Sequence, residues 1–302
     1  METIIGGVIV SYHPDKFLYT EVVEAALAQV DFLCVVNNGD QPVQIESERF
    51  HHQLAIKKII TIENCQNLGI ATALNLGLKA LIEKGCTHFL MLDQDSLIPE
   101  GMILRLIESF NTLNHQGHRV AAIGPAYFHS HLNKYAPFIQ FGKLRFKKIH
   151  IDDTPQLVET HFLITSGSLV TLDALQNVGL MEDALFIDFV DTEWCLRAID
   201  KQYKLYGDSG ARMSHSLGEK PVSVFGRKFS MHSPLRHYYI SRNAIHLIKK
   251  PYISLNRRFV IFVMTLKSFI FYSLIPSNRT EHFRKMLRGL KDGLNNNLGR
   301  YK

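Results

Sequence analysis

Apolar runs and breaks alternate along the first 125 residues in a way that predicts its own architecture. Residues 4–10 form a short apolar run rich in β-branched side chains, which reads as a strand buried on both faces. Ser11-Tyr12-His13-Pro14 breaks it, and residues 17–30 then carry helical spacing. A second buried strand is expected at 32–36, closed by the turn signal Asn37-Asn38-Gly39-Asp40. A third is expected at 56–63, a helix at 75–84 closed by Gly85, and a fourth strand at 88–92 running directly into Asp93-Gln94-Asp95. Pro99 and Glu100 open another helix, and 120–124 is a further strand. Repeated strand–helix units of this length predict a mostly parallel, doubly wound sheet, whose ligands sit beyond the carboxyl ends of the strands. Two polar clusters fall at such ends, 37–40 and 93–95.

The second half is less regular. Residues 127–163 mix polar and aromatic positions, as loops and short antiparallel strands do. A helix is expected near Leu172, another over 191–199, a short strand at 203–206, and helices from about Leu235 onward. The segment 215–242 is rich in Gly, Ser, Pro and basic residues. The stretch 259–275 is apolar but short for a membrane span, Lys267 interrupts it, and arginines flank it at 257, 258 and 279.

The chain has 302 residues, 46% hydrophobic and 21% charged, ordinary values for a folded α/β enzyme. Its net charge of +6 leaves an anionic substrate, an anionic membrane surface or nucleic acid as partners, and the absence of any zinc-finger, helix-turn-helix or RNA-binding signature ranks nucleic acid last. The positives gather late, from Arg227 and Lys228 through Arg284, Lys285, Arg288 and Lys291. Four cysteines, none in a C-x-x-C pair, suit a reducing cytosol without disulfides or zinc. The start lacks the basic opening of a signal peptide.

The chemistry-bearing residues each admit two readings. Asp93 and Asp95 at a strand end suit oxygen ligation of Mg2+ or Mn2+, or equally an acidic turn capping the next helix. Asp188, Asp191 and Glu193 suit a general base on a hydroxyl, or helix-start capping. His215 is a third metal ligand or a surface histidine. Arg242 is a planar fork for a diphosphate or a surface arginine.

Order narrows these choices. The chain resembles glycosyltransferase family 2, and within it bacterial rhamnosyltransferases, over residues 4–250. The pieces that carry the resemblance are Val8-Ile9-Val10-Ser11-Tyr12, Val35-Val36-Asn37-Asn38-Gly39-Asp40, Asn64 through Asn75 with Asn67-Leu68-Gly69-Ile70-Ala71, Leu92-Asp93-Gln94-Asp95-Ser96, Ser166-Gly167-Ser168, residues 185–197, His215-Ser216-Leu217-Gly218, and 237–243 ending in Arg242-Asn243. The resemblance implies a GT-A fold, a Rossmann-like α/β catalytic domain over 1–250 with a nucleotide-sugar half (1–125) and an acceptor half (126–250), followed by a helical extension over 251–302. It implies an inverting, single-displacement, metal-dependent transfer. On this basis Asp191 is the expected base and Asp188 the second choice. Asp93, Asp95 and His215 would hold Mg2+ or Mn2+. Ser11, Tyr12, Asn37, Asn38, Asp40, Asn67, Gly69, Asn75, Asp93, Gln94 and Arg242 would contact the donor.

The chain departs from family habit twice: Asn37 stands where an aspartate is usual, and Val190 where many relatives carry glutamate. The donor implied is dTDP-L-rhamnose. The acceptor implied is a saccharide, free or carried on a polyprenyl diphosphate, in O-antigen or capsule synthesis. Alternatives are a UDP-sugar hexosyl- or galactofuranosyltransferase and a non-catalytic nucleotide-sugar-binding scaffold. A nicotinamide dehydrogenase is disfavoured because no G-x-G-x-x-G follows the first strand. The basic, apolar tail suits a peripheral helix on the cytoplasmic face of the inner membrane, a core helix or a dimer interface.

Overall fold

The computed structural model describes residues 2–42, 58–129, 134–143, 145–152, 154–215, 222–224, 227–229 and 231–302, with the side chains of 129, 215, 222–224 and 227–229 excepted. The expected strand start at 56–57, Ser216-Leu217-Gly218 and the side chains of His215, Arg227 and Lys228 lie outside the described residues.

The front half follows the apolar pattern. β1 (Ile5–Ser11), β2 (Phe32–Asn37), β3 (Ile59–Glu63) and β4 (His88–Asp93) alternate with α1 (Lys16–Leu27), α2 (Ile70–Glu83) and α3 (Met102–His115). Asp15 caps α1 by accepting from the backbone N–H groups of Phe17 and Leu18. α2 begins five residues earlier than its apolar spacing predicts, because Gly69 at φ +86° turns the chain into the helix. β5 (Val120–His129) is twice the expected length. There follow β6 (Lys134–Tyr135), the hairpin β7 (Phe138–Phe141) and β8 (Phe146–Ile149), β9 (Leu157–Thr160), β10 (Leu169–Thr171), α4 (Leu172–Val178) and α5 (Val190–Asp200). β11 spans Lys204–His215, far beyond the short strand expected at 203–206. A bulge between Asp208 and Arg212 lets the polar stretch pair with β5. The fully buried Asp208 carboxylate fixes it, accepting from Arg105 (3.1 Å), Ser109 Oγ (2.7 Å) and the Gly210 N–H (2.8 Å). β12 (Val222–Val224) and β13 (Arg227–Phe229) pair separately. The chain closes with α6 (Pro234–Ile248), α7 (Leu255–Leu274) and α8 (Arg279–Leu294).

The main sheet runs β3-β2-β1-β4-β10-β5-β11-β9, with β10 and β9 antiparallel to the rest. Successive residues of the central strands face opposite cores. Val8, Val10, Cys34, Val36, Phe89 and Met91 meet α2, α4 and α5 on one side. Ile9, Leu33, Val35, Leu90 and Leu92 meet α1 and α3 on the other. Both faces are covered, which is why these strands read as unbroken apolar runs. β1 feeds β2 on one flank and neighbours β4 on the other, so the strand order reverses between β1 and β4. Their carboxyl ends form the crevice that such a reversal creates.

The C-terminal helices pack back onto this body. Ile253 and Ile261 join the α5-side core. α8 crosses α6 through Gly289 and Gly293, where a Cβ would come within 2.4 Å of the Tyr238 carbonyl oxygen and 2.5 Å of that of Arg242. Among the described residues no helix is long and apolar enough to cross a membrane. Gly293→Val must push α8 off α6 and is expected to cost about 1–3 kcal/mol, lowering Tm by several degrees, as calorimetry or circular dichroism would read. An unchanged Tm would show that the two helices do not bear on each other.

Candidate active site

The loops at the carboxyl ends of β1, β2 and β4 are tied by their own amides. Asn37 is buried; its Oδ1 accepts from the Gly39 N–H, and its Nδ2 donates to the Gln41 carbonyl (2.7 Å) and to Glu63. Asn38 Oδ1 accepts from Asn64 Nδ2 (3.1 Å) and the Leu68 N–H (2.9 Å), and its Nδ2 donates to Asn67 Oδ1. Asn67 Oδ1 also accepts from the Gly69 N–H. Asn75 is buried on α2, bonded to both polar backbone groups of Met181 and to Asp183. These four asparagines, expected against the donor, spend their amides on the loops that frame the crevice. Ser11 is fully buried as well. The Tyr12 N–H donates to Gln94 Oε1 at 2.6 Å, clasping the end of β1 to that of β4. The Tyr12 ring is 48% exposed, and Asp40 is exposed beside His13.

Asp93 ends β4. The adjoining Ser166 hydroxyl donates to Ser96 Oγ (2.6 Å) and accepts from the Asp93 N–H (3.4 Å), holding the acidic turn. Asp95 is half-buried in that turn. Asp93 lines a cavity of about 510 Å³ together with Asp188, Asp191, Thr165, Arg236 and Phe162. The structure therefore brings the first acidic cluster to the second across some 100 residues of sequence. Asp191 sits in the first turn of α5, and its Oδ1 accepts from the Thr192 N–H at 2.7 Å. Burial pushes its carboxyl up to about 6. The negative charges of Asp188 and Asp93 add to that rise, and the Thr192 hydrogen bonds oppose it. Asp188 pairs with Arg236 at 3.1 Å. His215 ends β11, a strand running in the same direction as β4, so its backbone reaches the same end of the sheet. Among the described residues no three His, Cys, Asp or Glu side chains form a ready-made metal site.

The segment leading to Asp191 carries a signal that no sequence pattern announces. Phe186, Asp188 and Phe189 all have φ between +62° and +66°, a region that non-glycine residues rarely adopt. α6 and α2 hold them there. Asn243 Nδ2 donates to the carbonyls of Leu185, Ile187 and Asp188 at 2.8–3.0 Å. The Ile70 N–H donates to the Phe186 carbonyl (2.7 Å), and Gly69 touches the Phe186 backbone so closely that any Cβ would collide with it. The Phe186 ring stacks on Tyr239.

Arg242, expected at the diphosphate, is placed by the structure in this brace. It is fully buried. Its Nη2 donates to the Leu185 carbonyl (2.8 Å), its Nη1 to that of Gly299 and its Nε to Asn243 Oδ1, while its guanidinium lies over the Tyr239 ring. Burial lowers the affinity of this guanidinium for its proton. A cation so placed stays satisfied only by such a set of carbonyls and rings.

A family model described as glycosyl transferase family 2 matches residues 8–178. The chain belongs to this family. It is 30% identical over 299 residues, 97% of this chain and 96% of the relative, to the dTDP-rhamnosyl transferase RfbF of Shigella flexneri. Its fold is that of TarS from S. aureus in complex with UDP-GlcNAc (TM-score 0.60, 12% identity, 96% of this chain and 81% of that one). It also matches the mannosyltransferase PcManGT of Pyrobaculum calidifontis with GDP-Man and Mn2+ (TM-score 0.55, 11% identity, 98% and 76%). The GT-A resemblance drawn from the motifs is thus borne out for fold and family, and the protein is a glycosyltransferase.

Asn243→Ala removes the amide that meets the Leu185, Ile187 and Asp188 carbonyls, of which Leu185 keeps Arg242 as donor, and is expected to cost about 1–3 kcal/mol. Arg242→Lys should likewise lower Tm in a melting curve, with nucleotide affinity retained in calorimetry well below the transition. Arg242→Lys that melts normally but loses nucleotide affinity would return Arg242 to the diphosphate.

Proposed function

We propose that this glycosyltransferase moves L-rhamnose from dTDP-L-rhamnose to a saccharide acceptor, with inversion, in the synthesis of a bacterial surface polysaccharide. The observation that carries the chemistry is Asp191, a carboxylate raised to about 6 inside a cavity it shares with the strand-end Asp93. The donor assignment is supported by the near full-length similarity to the Shigella flexneri rhamnosyl transferase.

A raised pKa makes Asp191 a stronger base than an ordinary aspartate while leaving it ionised at neutral pH. Asp191 takes the proton from the acceptor hydroxyl as that oxygen attacks the anomeric carbon. The bond from that carbon to the nucleoside diphosphate breaks on the opposite side, so configuration inverts. Asp188, held by Arg236, keeps a second negative charge at this end of the cavity. Asp93 and Asp95 fit a hard divalent cation of the kind that takes one or two carboxylates and completes its shell with substrate phosphates, a mode that needs no preformed three-residue site. With His215 as a candidate third ligand, they would hold Mg2+ or Mn2+, which supplies charge neutralisation of the leaving diphosphate. Tyr12 and Asp40 remain exposed for the nucleoside, and the asparagine network gives the crevice its shape.

α7 presents a stripe of exposed apolar residues, Leu255, Phe259, Phe262, Leu266, Ile270 and Leu274, at helical spacing, with Arg279, Arg284 and Arg288 following on α8. This supports peripheral contact with an anionic leaflet on the cytoplasmic side.

Thermal-shift measurements against dTDP, UDP and GDP with Mn2+ are expected to favour dTDP, raising Tm by about 3–6 °C at a hundred times its Kd. A larger response to UDP would reassign the donor to a UDP-sugar. Asp191→Asn is expected to slow transfer by about 10²–10⁴-fold with donor binding intact. In the native enzyme the rate should fall as the pH drops through about 6, or somewhat lower once a cation near Asp93 stabilises the carboxylate. Near-native turnover in Asp191→Asn would remove Asp191 from the base role.

A further inference from the structure

Next to the carboxylate cavity lies a second hollow, of about 320 Å³, within the range of small-molecule sites. Its walls are almost wholly apolar: Phe141 and Phe146 from the β7–β8 hairpin, Ile139, and Ile261 and Met264 from α7. Phe162, Phe189, Thr192 and Ile240 line both spaces, so the two form one trough. One end holds Asp93, Asp188 and Asp191. The other is lined by phenylalanines. Arg236 stands in the carboxylate end, and Arg257 lies 5.8 Å from the Phe141 ring at the apolar end, so each end has a cation.

A monosaccharide has no use for the apolar end. Sugar hydroxyls need polar partners, and a hollow lined by aromatic and aliphatic carbons offers few. The trough has the polarity of an amphiphile: a polar head, an anionic linkage and a hydrocarbon tail. The hairpin that roofs the tail end is fixed by the Phe141 N–H donating to His161 Nδ1 (2.9 Å) and by the Phe141–Phe146 edge contact. The helix that floors it turns its other, exposed apolar stripe outward, so a chain leaving the hollow continues along an apolar surface.

We propose that this hollow binds the hydrocarbon chain of a lipid-phosphate-linked acceptor, while its sugar reaches Asp191 in the adjoining cavity. The proposal rests on the transferase reading and adds to it which part of the acceptor this chain recognises away from the reacting hydroxyl. Arg236, one turn before the shared Ile240 on α6, supplies positive charge where the phosphate linkage would pass from one space to the other. Thr265 and Ser268, one and two turns beyond Ile261 on the same face of α7, mark the floor where a larger side chain would fill the hollow.

The test is calorimetry of the full chain with farnesyl phosphate, below its micelle concentration, against inorganic phosphate. The native protein is expected to bind farnesyl phosphate at least about a hundred-fold more tightly, because burying many methylene groups adds affinity that phosphate alone lacks. Ser268→Phe and Thr265→Trp should each weaken farnesyl phosphate at least about ten-fold and leave the dTDP–Mn2+ thermal shift unchanged. Equal binding of the two probes by the native protein, or farnesyl phosphate affinity untouched by both variants, overturns the proposal. A dimer that Ser268→Phe converts to monomer in sedimentation would instead assign the hollow to a second copy of the chain, and also overturns it. If no nucleotide shifts Tm yet farnesyl phosphate binds and the variants block it, the hollow stands and the transferase reading fails.

Discussion

Asn243 and Arg242 hold the backbone of residues 184–188 by its carbonyl oxygens, and the geometry of the catalytic end depends on that grip. Phe186, Asp188 and the adjoining Phe189 sit at positive φ, each costing on the order of 1–3 kcal/mol. They persist because Asn243 on α6 meets the carbonyls of Leu185, Ile187 and Asp188, because the Ile70 N–H meets that of Phe186 where Gly69 lets the start of α2 press close, and because Tyr239 receives the Phe186 ring. The outcome is a turn that delivers Asp188 and then Asp191 into the crevice opposite Asp93. The same guanidinium bonds to Gly299, so residue 299 is fastened to the segment that leads to Asp191. Glu182, at the other side of the turn, accepts from both His246 and Lys250 of the α6 end, which outweigh the effect of burial and hold its carboxyl down to about 2.

Much of this molecule is legible in its sequence where the information is local. The front strands are apolar on both faces because both faces are covered, and their ends could be read from Asn37-Asn38-Gly39-Asp40 and from Asp93-Gln94-Asp95. The second acidic cluster was legible as a helix start. That it meets the first was legible only through family resemblance, since periodicity says nothing about which strand ends converge. β11 was read too short because Gly207-Asp208-Ser209-Gly210 looks like a break. Pairing with β5 and the buried Arg105–Asp208 contact, more than 100 residues apart, make it a bulged strand instead. The packing of Arg242 is hidden from the sequence for a related reason. An arginine on an amphipathic helix reads as a surface cation, and only the fold reveals the carbonyls some 57 residues away that allow it to be buried.

The asparagines carry a similar lesson about function. Asn37, Asn38, Asn67 and Asn75 stand within the family's motifs, and each side-chain amide is bonded within the protein to the loops that frame the crevice. Asn37 in place of the more usual aspartate follows the same logic. A carboxylate offers acceptors alone, whereas the amide both accepts from the Gly39 N–H and donates to the Gln41 carbonyl, closing the turn on itself. Tyr12 and Asp40 are exposed at the strand ends, while Asp93, Asp188, Asp191 and Arg236 line the cavity together with Phe162 and Phe189, which continue it toward α7.

We propose that the carboxylates gather around the transferred sugar while Arg242 holds the scaffold behind them. A crystal structure with dTDP and Mn2+ tests it most directly. The account predicts Mn2+ on Asp93 or Asp95 and the diphosphate, with Arg242 still bonded to the carbonyls of Leu185 and Gly299. Nucleotide density away from the ends of β1 and β4, or Arg242 swung out onto the phosphates, would contradict it.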